Sequence, residues 1–370
     1  MKFRKIALPK DIHWFFKIII ALVILIFTWS LFYFGLPRVL PTQRVESGEV
    51  YGLILSDQLW GGEIKIIGDI YTLTDSTITI LPGTKILVEI ENDKSNFDLY
   101  PWHWKSGVNT GEFNRGVRTG EPFWDEKKKI QIHFNKVTIN GNPSNPVLVS
   151  SNSKNPSPFD FNVIRIREGF ITNAIFSNYR RFEIDGNLTI LNSTFKDTGE
   201  CALCITRSNP LIENNIFENS QRESIWVDRG SPQIHSNLFL NLIGDGIVID
   251  SKRLSVPLIT NNVFEMPRRT ALNIISGGQL HEGSIARNIF AGNTNIKIAC
   301  DTKAKIRDNV IFGLISFSHG CDGGFTFGPN FWGSIDPKTV MKEKILSRDE
   351  KFQIQIPTVL IAPPKDAGRK

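Results

Sequence analysis

An all-β solenoid, a coil of short strands stacked rung on rung, is the fold this chain predicts, and three observations predict it. An apolar residue recurs eight times, as Phe176, Phe195, Phe217, Phe239, Phe264, Phe290, Ile311 and Trp332, at intervals of 19 to 26 residues. A period in that range, with strand-like content, belongs to architectures in which one repeat is one turn of a coil. Five residues before each stands a second apolar position: Ile171, Ile190, Ile212, Ile234, Ile259, Ile285, Ile306 and Phe327. Two residues before each stands a polar column that begins Ala174, Ser193 and continues as Asn215, Asn237, Asn262, Asn288, Asn309 and Asn330.

One repeat is too short for two helices and a turn, and it lacks the apolar spacing of a helix. It carries instead short alternating runs such as Leu203-Cys204-Ile205, Ile225-Trp226-Val227, Ile247-Val248-Ile249 and Leu272-Asn273-Ile274. Alternation sends every second side chain to the same face, so the Ile, Leu and Val positions point inward. Breakers such as Asn209-Pro210, Gly230-Ser231-Pro232 and Gly244-Asp245-Gly246 mark the corners. Stacked rungs lie about 4.8 Å apart, so residues some 22 apart in sequence become vertical neighbours. The Asn column is expected at a bend, where Asn tolerates unusual backbone angles. Its stacked amides are expected to hydrogen-bond along the coil.

These features resemble right-handed parallel β-helix repeat proteins of the pectin-lyase-like superfamily, directly over residues 171 to 332. The resemblance extends upstream through Trp60-Gly61-Gly62, Gly68-Asp69-Ile70, the run from Thr77 to Thr84, and the run from Val137 to Val147. Asn330-Phe331-Trp332-Gly333 resembles the motif that often closes such domains. The full expectation is therefore one transmembrane helix, then a right-handed single-stranded parallel β-helix over 49–335, then a cap over 336–364 with a short helix.

The membrane segment is read from Ile18 to Leu36, nineteen residues without a charge. As a helix it reaches roughly 28 Å, close to a bilayer core. Lys2, Arg4, Lys5, Lys10 and Lys17 precede it against a single Asp11, which predicts a cytoplasmic tail over 1–17 and a periplasmic or extracellular bulk. No small-x-small cleavage site follows, so a retained anchor is expected over a cleaved signal peptide. A link over 37–48 leads to the coil. Of the chain's 43 basic and 37 acidic residues, five basic and one acidic precede the anchor, so the part beyond it nearly balances at about +2, and no basic stripe points to nucleic acid.

Residues 91–129 interrupt the coil. Aromatic residues crowd this insertion, among them Tyr100, Trp102, Trp104 and Trp124, beside His103. Flat aromatic faces can stack on sugar rings, and polar neighbours can hold hydroxyls. The same aromatics can equally pack into a mini-core over the flank of the coil, or touch the membrane surface. Asp336-Pro337 starts the cap helix, Phe352 to Ile356 alternates like a strand, and 365–370 reads as a disordered charged tail.

Four cysteines are few for a disulfide-built protein. Cys300 and Cys321 share a repeat position; a disulfide and two inward thiols are both open. Cys201 and Cys204 form C-x-x-C, read chiefly as core or turn residues rather than as a zinc or redox motif.

Repeat alignment also places Asp228 and Asp250 outward on adjacent rungs, with Arg229 beside the first and Trp226 on the same face. Glu223 and Asp245 share a position as well. Paired carboxylates suit glycoside hydrolysis, and with turn carbonyls they are the kind of site that takes Ca²⁺. Ordinary strand-end Asp is the competing reading. Polygalacturonases, which have this fold, place Asp on consecutive rungs in the same rhythm, but their adjacent Asp pair, Gly-His-Gly and Arg-x-Lys motifs have no counterpart in phase here. The function expected is a membrane-anchored protein binding surface or extracellular polysaccharide, through Tyr100, Trp102, His103, Trp104, Trp124 and Trp226. The alternative is a polysaccharide lyase or hydrolase using Asp228, Asp250 and Arg229. No cofactor is expected.

Overall fold

The computed structural model describes residues 10–30, 41–72, 75–90, 94, 130–250, 256–276, 284–318, 324–346 and 352–368. The solenoid is a parallel β-helix with three sheets running its length. Every pairing between its strands is parallel and joins one rung to the next. Ile212 pairs with Ile234, Phe217 with Phe239 and Val227 with Ile249, each 22 residues apart. The period read from the sequence is therefore the rise of one coil.

Each regular rung contributes three short strands. The rung from residue 211 uses Leu211–Glu213 in the first sheet, Ile216–Glu218 in the second and Ile225–Asp228 in the third. All three alternate, with Ile212, Phe217, Ile225 and Val227 fully buried. The five phenylalanines from Phe195 to Phe290, with Phe176 before them, stack ring on ring at 4.6–5.3 Å and within 13° of parallel. In-register stacking brings identical side chains together, so a flat ring finds a flat ring above and below. The first coils are less regular. Gln43–Ile54 and Gln58–Thr72 are long strands that bend around corners through register shifts. The first of them begins inside the stretch read as a link.

The Asn column forms a continuous amide ladder. Asn215, Asn237, Asn262, Asn288 and Asn309 each donate from Nδ2 to Oδ1 of the next, at 3.0–3.1 Å. The same Oδ1 also accepts the backbone N–H of the residue on the rung before it. The ladder residues are completely buried. The unusual backbone angle falls one residue earlier than expected, at Asn192, Asn214, Ser236, Asn261, Arg287 and Asp308, with φ between 49° and 58°. That left-handed residue turns the chain, and the next side chain is then free to point inward along the axis.

The C-terminus caps the coil as expected. Helix α2 covers Pro337–Lys344, and Asp336 accepts from the N–H groups of Lys338 and Thr339. Gln353–Gln355 pairs with Gly324–Thr326. The tail departs from expectation. Leu360 N–H donates to Asn330 O and Gly368 N–H to Arg287 O, so the segment runs back along the coil instead of hanging free.

At the other end, helix α1 spans Lys10–Ser30. Its described side chains, Trp14 and Phe16 to Ser30, are all exposed. Among the described residues no helix is long and apolar enough to cross a membrane. Residues 31–36 of the expected span lie outside the described residues, and the described part from Ile18 to Ser30 reaches about 20 Å.

Candidate functional site

The third sheet carries on its outer face a column of side chains aligned by strand register. In order it reads Tyr71, His133, Arg165, Glu183, Cys204, Trp226, Val248, Asn273, Lys297 and Ser316. Each sits between inward residues such as Leu203 and Ile205 or Ile225 and Val227, so alternation alone turns it outward.

The first half of this column is a closed polar network. The ring of His133 stacks on Tyr71 at 5.0 Å and is buried. Burial, helped by the positive charge of Arg165, lowers its pKa to about 3. Arg165 holds Glu183 through Nε at 2.7 Å and Nη2 at 2.6 Å, and Arg181 reaches the other oxygen at 2.6 Å. Burial pushes the Glu183 carboxyl up, but the guanidiniums of Arg181 and Arg165 outweigh it and hold the carboxyl below its usual range. Arg180, only 2% exposed, bonds Asn162 at 3.1 Å and Glu200 at 2.9 Å.

Cys201 and Cys204 are joined in a disulfide with their Cα atoms 5.5 Å apart. This corrects the reading of the C-x-x-C as plain core or turn cysteines. Cys204 points outward from its strand and Cys201 sits at the corner before it, so the bridge braces the entry to the strand. Cys300 is also disulfide-bonded. Cys321 lies outside the described residues.

The second half is more open. Trp226 is half-buried on the outer face, and Val248, its neighbour on the next rung, is buried. Carboxyl groups flank them on both sides. On the side where the strands begin, Glu223 and Asp245 lie one rung apart, linked through Ser224 N–H to Asp245 O at 2.9 Å. Asp245 also accepts from Asn273 Nδ2 at 2.8 Å. Burial pushes the Glu223 carboxyl up against the pull of Arg222, and the carboxylates of Asp245 and Glu200 add to the rise. On the side where the strands end, Asp228 pairs in register with Asp250.

That register matches the sequence reading, but the surroundings differ from it. Arg229, at φ 55°, folds back on its neighbour and grips Asp228 with two bonds, at 2.9 and 2.7 Å. Asp250 is only 3% exposed. The two are therefore not an open carboxylate pair. Among the described residues no group of three or more His, Cys, Asp or Glu side chains is placed to hold a metal ion. Tyr100, Trp102, His103, Trp104 and Trp124 lie outside the described residues. Sequence reasoning missed the role of Asn273 and the length of the outward column. A signal for both was present, because Cys204, Trp226, Val248 and Asn273 each stand nine residues after the buried phenylalanine of their repeat.

A family model described as a right handed beta helix region matches residues 124–295. No curated protein and no solved structure gives a match. The match and the parallel sheets agree: the chain folds as a right-handed parallel β-helix, a fold consistent with a polysaccharide-related protein.

Proposed function

We propose that this protein is held in a membrane by its N-terminal helix and binds polysaccharide outside the cytoplasm on the outer face of its third sheet. The observation that carries the reading is the outward column, which places the half-buried Trp226 and, two rungs further, Asn273 on one face, between flanking polar side chains. A half-buried indole gives a sugar ring an apolar plane, and amide and carboxyl groups around it can take the hydroxyls. The rungs repeat at about the length of one sugar unit, so a linear chain can lie along the column.

Two further observations support the placement. Twelve large apolar side chains of α1 face outward without packing on the coil. Leaving each in water costs roughly 1.5–3 kcal/mol, a penalty that a lipid surrounding removes. The Cys201–Cys204 disulfide suits an oxidising compartment. From sequence alone, the aromatics Tyr100, Trp102, Trp104 and Trp124, with His103, are further candidates for sugar contact.

The second reading is turnover by Asp228, Asp250 and Arg229. One rung separates the two residues at the backbone, about 4.8 Å, which lets their carboxyl groups approach the spacing of a retaining glycosidase pair. The grip of Arg229 and the burial of Asp250 weigh against it, so binding is the preferred function.

The test is affinity electrophoresis of the full chain in detergent micelles against soluble polysaccharides, with release of reducing ends followed in parallel. Binding is expected, and Trp226→Ala should weaken it at least tenfold while the thermal transition survives. Failure of the unaltered protein to bind any polysaccharide would overturn the reading. Sustained release of reducing ends that Asp228→Asn abolishes would favour the enzyme.

A further inference from the structure

Resting on that reading of Trp226, we infer that the Cys201–Cys204 bridge is an exchangeable disulfide whose state positions the Trp226 indole. A small dithiol opens it while the coil stays folded. The two cysteines stand in different places. Cys201 sits at the corner and is 7% exposed. Cys204 lies half-buried on the outer face, in register with Glu183 on one side and Trp226 on the other. Neighbours in register are about 4.8 Å apart at the backbone, which puts the Cys204 sulfur within reach of the indole. Sulfur and an aromatic ring attract at that range.

The bridge braces the corner, but the backbone there is also held without it. Glu200 N–H donates to Arg180 O at 2.6 Å, and Phe182 N–H to Cys201 O at 3.3 Å. The two residues between the cysteines are bound to the next rung. Ala202 N–H donates to Glu223 O at 3.2 Å and Leu203 N–H to Ser224 O at 2.9 Å. The buried hydroxyl of Tyr179 donates to Ala202 O at 3.0 Å. A cross-link between residues only three apart closes a small ring and removes little freedom from the unfolded chain. The coil therefore loses little when the bridge opens, and the effect falls on the side chains beside Cys204.

Those side chains are not equally fixed. Glu183 is gripped by Arg165 and Arg181, a network that does not involve the sulfurs. Trp226 stands between Cys204 and the buried Val248. With the bridge closed, the Cys204 side chain is drawn toward Cys201 and keeps one rotamer. With the bridge open, it turns among the staggered positions, and the indole loses a fixed wall on that side.

Opening takes two exchange steps. One thiolate of the dithiol attacks the Cys204 sulfur, the more accessible of the pair. The S–S bond breaks, and its electron pair leaves with Cys201, which takes up a proton. The second thiolate of the dithiol then attacks the dithiol's own sulfur in the mixed disulfide. Cys204 departs and is protonated, and the dithiol ends as a cyclic disulfide. The protein gains two thiols as the reductant gains one disulfide.

The experiment uses the full chain in detergent micelles, carrying 5-fluorotryptophan, with the Trp226 fluorine resonance assigned by Trp226→Phe. Dithiothreitol is titrated in, and freed thiols are alkylated and located by mass spectrometry. Cys201 and Cys204 should become alkylated while the cooperative melt persists, and the Trp226 resonance should shift with them. Reoxidation should restore it. The Cys201→Ser, Cys204→Ser double variant should show the shifted resonance from the start, and dithiothreitol should move it no further. Binding to a soluble β-glucan, followed in the same samples, should weaken at least fivefold on reduction. Thiols that appear only as the coil melts would overturn the inference, and so would a bridge that opens with the Trp226 resonance unmoved. Either result leaves the polysaccharide reading as it was. A responsive resonance without β-glucan binding in either state would remove that glycan as the ligand and leave the exchangeable bridge standing.

Discussion

Two columns run the length of the coil, one inside and one outside, and they differ in what stacking asks of them. The inner column repeats a single residue from Asn215 to Asn330, and each amide completes the one before it. Over the same rungs the outer column on the third sheet passes through Trp, Val, Asn, Lys and Ser. Inside, a polar group away from water must find its partner within the protein, and the nearest partner is its own copy one rung away. Outside, water or a ligand can complete the exposed side chains, such as Trp226 and Lys297, and the buried ones find partners of other kinds, so each rung is free to carry different chemistry. A solenoid therefore keeps its repeat where desolvation is complete and its function where it is not.

Breaking the inner column should have the largest effect. Asn262→Ala removes an acceptor of Asn237 N–H and Nδ2 and a donor to Asn288, Ile234 and Thr260. Several buried groups then lack partners at about 1–3 kcal/mol each, so a loss of about 3–5 kcal/mol is expected in urea denaturation. A loss under 1 kcal/mol would show that the ladder follows from the coil rather than supporting it.

The outer column should respond to pH instead. Folded His133 stays neutral down to about pH 3, while in the unfolded chain it takes a proton near 6.5. The stability this gives is complete above pH 6.5 and falls as pH drops toward 3. The unfolded state binds the extra proton throughout that window. Between pH 6.5 and 5 the loss should be about 2 kcal/mol, and His133→Gln should flatten it. Glu183, with its carboxyl held low, adds a loss of the same sign only at more acid pH.

The smallest effect should come from the cap, which belongs to neither column. Asp336 is fully exposed, and the hydroxyl of Thr339 and the N–H of Lys338 hold its carboxyl below its usual range. Asp336→Ala should speed amide exchange at Lys338 and Thr339 without moving the global melt. A shift of the whole transition would mean that the helix end is coupled to the last rungs.

Much of the fold was legible because register here is one for one. Once Ile212 and Ile234 share a repeat position, so do Phe217 and Phe239, and Asp228 and Asp250. The N-cap at Asp336 was legible for the opposite reason, being wholly local. What could not be read lies across corners and in side-chain direction. The positive φ at Arg229 brings its guanidinium back onto Asp228, and spacing alone does not contain that fold-back. Cys201 and Cys204 meet because one sits at a corner and the other on a strand. The network of Arg165, Arg181 and Glu183 belongs to coils whose strands are longer and whose spacing is irregular, where alignment by period fails.

The returning tail alters how this molecule can come apart. A stack of coils ordinarily frays from its end, each turn leaving at the cost of one interface. Here Leu360 is fastened to Asn330 and Gly368 to Arg287, with the Asn309 turn lying between them. The α-carbon of Gly368 lies so close to Ile289 that a methyl group there would collide with it. Peeling the final turn therefore means releasing the strap that also binds the turns above it. Those three should open together, as one cooperative block at the far end of the rod.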